Sequence, residues 1–271
     1  MIEQMSPLEC AAFGELNEGN AYAALLAGSA TASVHALGSA LALVAAEESR
    51  STLLNRVIGL GLDRPIAAAD LEAIAKLYGP TRNPWSIELP SACSTPDVLA
   101  LLKQSGYRRS GLQAAVFAAD CRELAEVASR FDIRCNEAQM FAAAADIQAS
   151  VFGVSPSVRA LLAQAPADGR FHQFIALDDG RPAAACLSFI SAETAWAGWD
   201  ATLPAHRGRG IQKALIAARA RGAAAAGCRW ITSETAVGTS AAPDRSHQNY
   251  LKLGFRELYR RQSYLHLPAR T

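Results

Sequence analysis

The sequence predicts a mixed α/β fold built as two tandem domains. Three observations predict it. Apolar runs of strand length alternate with helical patterns along the whole chain. Cap and turn chemistry stands at the boundaries, with Thr95-Pro96-Asp97 opening a helix and Asp178-Asp179-Gly180 closing a hairpin. Finally, residues 99–117 and 247–265 share a design: a short helix, a Gly-aromatic corner, two basic residues and a strand. This pseudo-repeat, in a chain of 271 residues, suggests two related domains, divided here into residues 1–128 and 129–271.

In the first half the pattern predicts a helix over 18–27, a strand over 34–45 and another over 56–62. Asp63-Arg64-Pro65 breaks the chain. Apolar residues at helical spacing give a helix over 68–78, stopped by Gly79-Pro80. A strand over 85–89 follows. The next helix has Thr95 as its cap, Pro96 at its first position and Asp97 in its first turn, and it runs to Gln104 before Gly106. Residues 113–119 read as a strand.

The second half begins around 126–133. Asn136 is expected to cap a helix from Glu137 to about Phe152, and Ser155-Pro156 to start another, through Leu162. Strands are expected over 171–177, 183–190 and 194–202. A helix over 212–226, a strand over 229–234, a short helix over 246–253 with Ser246 as its cap, and a last strand or pair over 255–267 complete the reading.

Composition narrows the function classes. The formal charge is +1, so no nucleic-acid-binding surface is expected. The longest apolar stretch, near residues 36–46, falls short of the ~20 residues of a spanning helix, so no membrane is expected either. The start of the chain carries Glu3 and Glu9 and does not read as a signal peptide. The cysteines Cys10, Cys93, Cys121, Cys135, Cys186 and Cys228 are scattered, with no CxxC pair and no histidine at ligand spacing. They read as reduced, buried thiols of a cytoplasmic protein without a metal. Arg108-Arg109 and Arg260-Arg261 read as solvated strand ends. No GxSxG elbow is present, which argues against serine hydrolysis.

The stretch Leu203 to Gly227, LPAHRGRGIQKALIAARARGAAAAG, is the most informative. A strand feeds the loop His206-Arg207-Gly208-Arg209-Gly210, which becomes the first turn of a helix. Such a turn has unpaired amides and the positive end of the helix dipole, where a phosphate fits. The glycines let the backbone curl, and Arg207 and Arg209 add charge. Ile211, Leu215 and Ala218 share one face and would pin the helix to the sheet. The spacing matches neither a Walker A loop nor a GxGxxG loop.

That spacing, Arg207-x-x-Gly210-x-Gln212, resembles the signature Arg/Gln-x-x-Gly-x-Gly/Ala of the GNAT superfamily of acyl-CoA-dependent N-acetyltransferases, with Gln212 departing from the third anchor. Upstream, WAGWDATLP (residues 196–204) resembles the family's fourth strand. CRWITSE falls where its fifth strand belongs. Downstream, Tyr250 stands four residues before Gly254-Phe255, like the family's tyrosine general acid. The resemblance covers residues 131–267. The first half lacks the signature and reads as a degenerate GNAT-like copy that has lost coenzyme binding.

The resemblance implies an N-acetyltransferase of tandem GNAT-like design that holds acetyl-CoA as cosubstrate where the fourth and fifth strands splay, with direct attack by an amine. Residues Arg207, Gly208, Arg209, Gly210, Ile211 and Gln212 would bind the diphosphate. The backbone at Thr202 and Leu203 would hold the pantetheine arm, with Asn249 near the pantetheine or the phosphate end. Tyr250 is the candidate acid, Glu234 the first candidate base and Asp200 the second. His206 is expected to line the coenzyme site. Trp196 and Trp199 face opposite ways in a regular strand, whereas a bulge at Gly198 would change that and free an amide for the thioester oxygen. Trp85, Trp196 and Trp199 are candidates for an aromatic pocket wall. A small-molecule amine is the expected acceptor, and a monomer and a homodimer are both open. Two alternatives stand beside this reading: a transferase of another acyl or aminoacyl donor, and a non-catalytic acyl-CoA-binding regulatory module.

Overall fold

Helix α1 (Pro7–Leu26) begins on a reciprocal cap. Ser6 Oγ accepts from the Glu9 N–H at 3.3 Å, and the Glu9 carboxylate accepts from the Ser6 N–H at 2.7 Å, with Pro7 in the first turn. The computed structural model, which describes residues 2–48, 51–125, 127–238 and 244–268, thus starts this helix well before the expected residue 18. The expected strand over 34–45 is a hairpin of β1 (Ala32–Leu37) and β2 (Ala40–Ala45). Its turn uses Gly38 at φ +63°, and Asp63 accepts from the Ser39 N–H and hydroxyl. Strand β3 (Arg56–Ile58) stops early because Gly59 and Gly61 turn left-handed.

Helix α2 (Ala68–Tyr78) has the expected bounds. Strand β4 (Trp85–Pro90) is followed by α3 (Pro96–Gln104), where Thr95 Oγ1 accepts from the Val98 N–H as expected of a cap. Strand β5 (Arg108–Asp120) is longer than expected at both ends.

Next come β6 (Asp132–Cys135), α4 (Phe141–Phe152) and α5 (Pro156–Gln164). Glu126, the expected start of this half, lies outside the described residues. Asn136 does not cap α4. It sits at φ +53° and exchanges hydrogen bonds with the backbone of Gln173 at 2.8 and 2.9 Å, so α4 begins only after a short 3-10 turn. Ser155 caps α5 as expected.

Strands β7 (Phe171–Asp178), β8 (Arg181–Ser191) and β9 (Thr194–Thr202) form the expected meander. Helix α6 (Ile211–Ala225), β10 (Trp230–Ala236), α7 (Arg245–Lys252) and β11 (Arg256–His266) complete the chain. The cap of α7 is Asp244, whose carboxylate accepts from the His247 N–H at 3.0 Å, and not Ser246.

The chain divides into two compact units: Met1–Val116 with Leu258–Thr271, and Phe117–Glu257. Beside the expected division into 1–128 and 129–271, this one takes the end of β5 into unit 2 and most of β11 into unit 1. In unit 1 the last strand pairs antiparallel with β4, from Arg261 opposite Pro90 to His266 opposite Trp85. Its strands run β1-β2-β3-β4-β11, and β3 pairs parallel with β4. In unit 2 the order is β10-β9-β8-β7-β6.

The core of unit 1 packs α2 and α3 on its sheet through Leu71, Ile74, Val98 and Leu102. Tyr78, Trp85 and His266 stack there, with ring centroids 5.2 and 4.0 Å apart. Arg261 is not a solvated strand end. It is 1% exposed and pairs with Glu15 at 2.9 Å and Glu18 at 2.7 Å. In unit 2, Phe174, Cys186, Ile211, Ala214, Leu215 and Ala218 join α6 to one sheet face, while Ala144, Ile147, Ile175, Leu177, Ala185 and Ala201 join α4 to the other. Five cysteines are buried thiols, but Cys135 is exposed, because it stands on the edge strand β6. Among the described residues no helix is long and apolar enough to cross a membrane.

Candidate active site

Strands β9 and β10 run parallel for only four residue pairs, from Trp230 opposite Thr194 to Ser233 opposite Ala197. Beyond that point Gly198 to Thr202 and Glu234 to Ala236 continue without a shared ladder. The strands fork there, and backbone edges that a closed ladder would consume are left facing one another.

The loop that leaves β9 opens beside the fork. Gly208 and Gly210 take φ +77° and +85°, and Gly210 is the N-terminal cap of α6. The first intrahelical hydrogen bond runs from Ala214 N–H to Gly210 C=O, so the amides of Ile211, Gln212 and Lys213 are not used within the helix. A Cβ on Gly210 would meet nothing within 4 Å, and one on Gly208 only the Arg245 guanidinium at 3.9 Å. This open, amide-lined turn fits a phosphate. Arg207 is exposed, and its Nε donates to the Thr202 carbonyl at 3.1 Å.

Arg209 does not add free charge. Its guanidinium is held bidentately by Asp178, which also accepts from Arg130 at 3.3 Å and contacts His206 Nδ1 at 2.9 Å. Asp178, at the end of β7, thereby fastens the loop, and His206 belongs to that fastening. Gln212 points its side chain toward α7, donating to Ser246 Oγ at 2.6 Å and accepting from Asn249 Nδ2 at 2.8 Å. Leu203 has its N–H on the Ala183 carbonyl and its C=O on the His206 N–H. Its backbone is therefore already engaged, as is the Thr202 carbonyl, which Arg207 holds.

The apex of the fork holds a quartet that the sequence reading only half anticipated. Tyr250 is fully buried. Its hydroxyl donates to Asp200 Oδ2 at 3.1 Å, accepts from Arg219 at 3.1 Å and lies 2.7 Å from Ser233 Oγ. Arg219 also binds Asp200 Oδ1 at 2.7 Å. Ser233 Oγ reaches the Ala197 carbonyl at 2.8 Å. With Asp200 ionised, two hydroxyl protons serve three oxygen–oxygen contacts. Burial, and then the Asp200 carboxylate, push the Tyr250 pKa above that of an ordinary tyrosine, against the opposing pull of Arg219. Burial works against the charge on Arg219, but Asp200 overrides it and keeps the pKa above the usual arginine value. Arg219 and Ser233 were missed by the sequence reading. The signal for Arg219 was its place on the stripe Ile211, Leu215, Arg219, a charge at an inward position.

Glu234 follows Ser233 directly, so the alternation of the strand turns it to the opposite sheet face. It is half-buried. The two candidate bases therefore lie on different faces, Asp200 toward α6 and Glu234 away from it.

The bulge alternative for β9 holds. Leu187 pairs with Gly198 and Ala185 with Ala201, so β9 takes three steps where β8 takes two. Trp199 occupies the left-handed region at φ +58°. Both Trp196 and Trp199 are buried, the latter in edge contact with Phe152 of α4. Gly198 is required, because its Cβ would stand 2.3 Å from the Trp196 ring. Trp85 is buried in the core of unit 1, so none of the three indoles presents an open wall.

The corresponding turn of unit 1, between β3 and α2, is filled by its own carboxylates. The Gly59 N–H donates to Glu15 at 2.8 Å, and the Ala67 N–H to Asp70 at 2.8 Å. Anionic groups stand where a phosphate would need to bind. Among the described residues no cluster of three His, Cys, Asp or Glu side chains is arranged to hold a metal ion.

Comparison with known proteins agrees with this geometry. Residues 169–257 match the acetyltransferase (GNAT) domain family. No curated protein matches the chain. Among solved structures, the fold is similar to a GCN5-related N-acetyltransferase from Kribbella flavida, at 17% identity and a TM-score of 0.63 over 94% of this chain and 95% of that one. A GCN5-related N-acetyltransferase from Sphaerobacter thermophilus gives 15% identity and a TM-score of 0.61, covering 96% and 93%. A tandem GNAT protein from the clavulanic acid biosynthesis pathway gives 12% and 0.60, covering 90% and 86%. Residues 169–257 are thus similar to a GNAT acetyltransferase domain, and the mixed α/β fold is similar to GNAT folds, a tandem GNAT protein among them.

Proposed function

We propose that unit 2 transfers an acyl group, acetyl first among the candidates, from coenzyme A to a small-molecule amine in a ternary complex. The observation that carries this reading is the fork of β9 and β10 beside a sterically open, amide-lined turn. The amides from Gly208 to Gln212 would take the diphosphate, with the charge of Arg207 at their edge. Thr202 and Asn249 would flank the pantetheine, and Leu203 would contribute its side chain.

In the reaction the acceptor ammonium gives a proton to a carboxylate, Glu234 or Asp200, and the free amine attacks the thioester carbon. An N–C bond forms, the carbonyl oxygen takes negative charge, and the C–S bond then breaks. An amide freed by the β9 bulge would meet that oxygen. The amine nitrogen loses its second proton, and the thiolate gains one. Coenzyme A's thiol should titrate near 8.5, as cysteine does. A tyrosine whose pKa is raised above 10 gives up its proton to such a thiolate only uphill. Tyr250 therefore supports the leaving sulfur better as a hydrogen-bond donor than as a full acid, and must release Asp200 to do so.

That saturation of Tyr250 also favours a second reading, a non-catalytic acyl-CoA-binding module. Titration calorimetry of acetyl-CoA into wild type and Arg207→Glu, with thiol release followed across an amine panel, separates the two. Binding lost in the variant together with amine-dependent thiol release supports the transferase. Binding without release supports the module, and no binding by the wild type overturns both.

A further inference from the structure

The bulge in β9 is held from both sides of the sheet by buried side chains, one of which also belongs to the quartet at the apex of the fork. A non-glycine residue in the left-handed region is strained and persists only where its surroundings fix it. At Trp199 they do so through two consecutive carbonyls. From the α6 face, Arg219 points one nitrogen at the carbonyls of Gly198 and Leu187, each at 3.4 Å. From the α4 face, Gln148 Nε2 donates to the Trp199 carbonyl at 3.2 Å. Both residues are fully buried. Gln148 is itself oriented by Gln173, whose amide donates to its Oε1 at 3.2 Å. An arginine within an alanine-rich helix and a glutamine on the apolar side of α4 are costly to bury, and each places a donor nitrogen on the same irregularity, Arg219 with the nitrogen that its ion pair with Asp200 leaves over.

We propose that Arg219 and Gln148 form a two-sided clamp on the β9 bulge, acting as positioning residues that fix the opposed directions of its two backbone N–H groups, so that one of them would meet the acyl oxygen of the donor. The functional half of this proposal rests on the donor reading given above; the clamp itself does not. When consecutive peptide planes are fixed by their carbonyls, the amides on the other side of the same planes are fixed too, because each peptide is rigid. Arg219 fixes the plane that carries the Trp199 N–H, and Gln148 fixes the plane that carries the Asp200 N–H. The arrangement supplies in advance the orientation that an oxyanion site needs.

The test uses Gln148→Met, which keeps the volume and loses the donor, and Arg219→Lys, which keeps a charge for Asp200 and loses the reach to two carbonyls. Hydrogen exchange of the ligand-free protein is read first. The clamp predicts exchange faster by about tenfold in the peptide spanning the bulge in both variants, with the rest of unit 2 unchanged in Gln148→Met. Unchanged exchange in both variants overturns the clamp. The carbonyl stretch of bound acetyl-CoA, labelled with ¹³C at the acetyl carbon, is read second. A lowered frequency in the wild type, returning toward the free value in Gln148→Met at unchanged coenzyme affinity, supports the positioning role. An equal shift in wild type and variant overturns that role even where exchange has changed. Failure of the wild type to bind acetyl-CoA overturns the donor reading and the positioning role together, while the exchange result still decides the clamp.

Discussion

Replacing Tyr250 by Phe removes one oxygen from the apex of the fork, and the structure sets the cost. Arg219 keeps Asp200 Oδ1 at 2.7 Å, and Ser233 keeps the Ala197 carbonyl at 2.8 Å, so neither donor is orphaned. What is lost is the hydrogen bond from Tyr250 to the Asp200 carboxylate and the bond that the hydroxyl accepts from Arg219. Hydrogen bonds to charged groups contribute about 1.5–3 kcal/mol, and with the remaining partners in place the loss should be about 2 kcal/mol. Asp200→Ala is a different case, because it strands the fully buried guanidinium of Arg219, and breaking a buried pair costs about 3–5 kcal/mol. Ser233→Ala should be mildest, near 1 kcal/mol, since it removes a neutral hydroxyl. Urea unfolding of the three variants should rank them Asp200→Ala, Tyr250→Phe, Ser233→Ala. Equal costs for Asp200→Ala and Tyr250→Phe, or a Tyr250→Phe change within about 0.5 kcal/mol of zero, the range of an ordinary surface substitution, would refute the quartet as the organiser of the apex.

Asp178→Asn should leave the fold intact but loosen the loop, weakening acetyl-CoA by about tenfold in calorimetry, because Arg209, His206 and Arg130 lose their common anion. Gly198→Ala should destabilise by about 1–3 kcal/mol in the same urea assay, as the Trp196 ring cannot accept a methyl at 2.3 Å without moving. Burial holds His172 and His266 below the ordinary histidine pKa of 6.5. The unfolded chain then takes up protons first, so stability is full above pH 6.5 and declines as pH falls through and below it. Melting temperatures measured across that window should fall less steeply in the double variant His172→Gln/His266→Gln than in the wild type.

Much of the fold was legible because local chemistry agreed with tertiary structure. The helix α2, the Thr95 and Ser155 caps and the β7–β8–β9 meander are all marked by turn residues at their ends. The left-handed glycine turn that opens α6 was legible for the same reason, since glycines and a helix start are sequence-local. The start of α1 was also written in Ser6-Pro7-Leu8-Glu9, but its buried face carries the polar residues Glu15, Asn17 and Glu18 while Leu8 and Leu16 stand on its exposed face, so no apolar stripe marks it. Arg261 misled for a related reason. Its partners Glu15 and Glu18 are distant in sequence, and only the phase Tyr259, Arg261, Ser263 marks it as inward-facing. Arg219, Ser233 and Gln148 act through contacts with residues remote in the chain, and no local pattern announces such partners.

The exchange of last strands has a consequence for how this chain can be made. The sheet of unit 1 includes residues from 258 onward, so β4 finds its antiparallel neighbour only once residues 261–266 have been made. During synthesis the first unit must wait with an unpaired strand edge, a surface prone to wrong pairing. A fragment ended at residue 128 would keep that edge permanently. The two units are thus separable by contact but not by scissors: no single cut in the chain releases either of them whole.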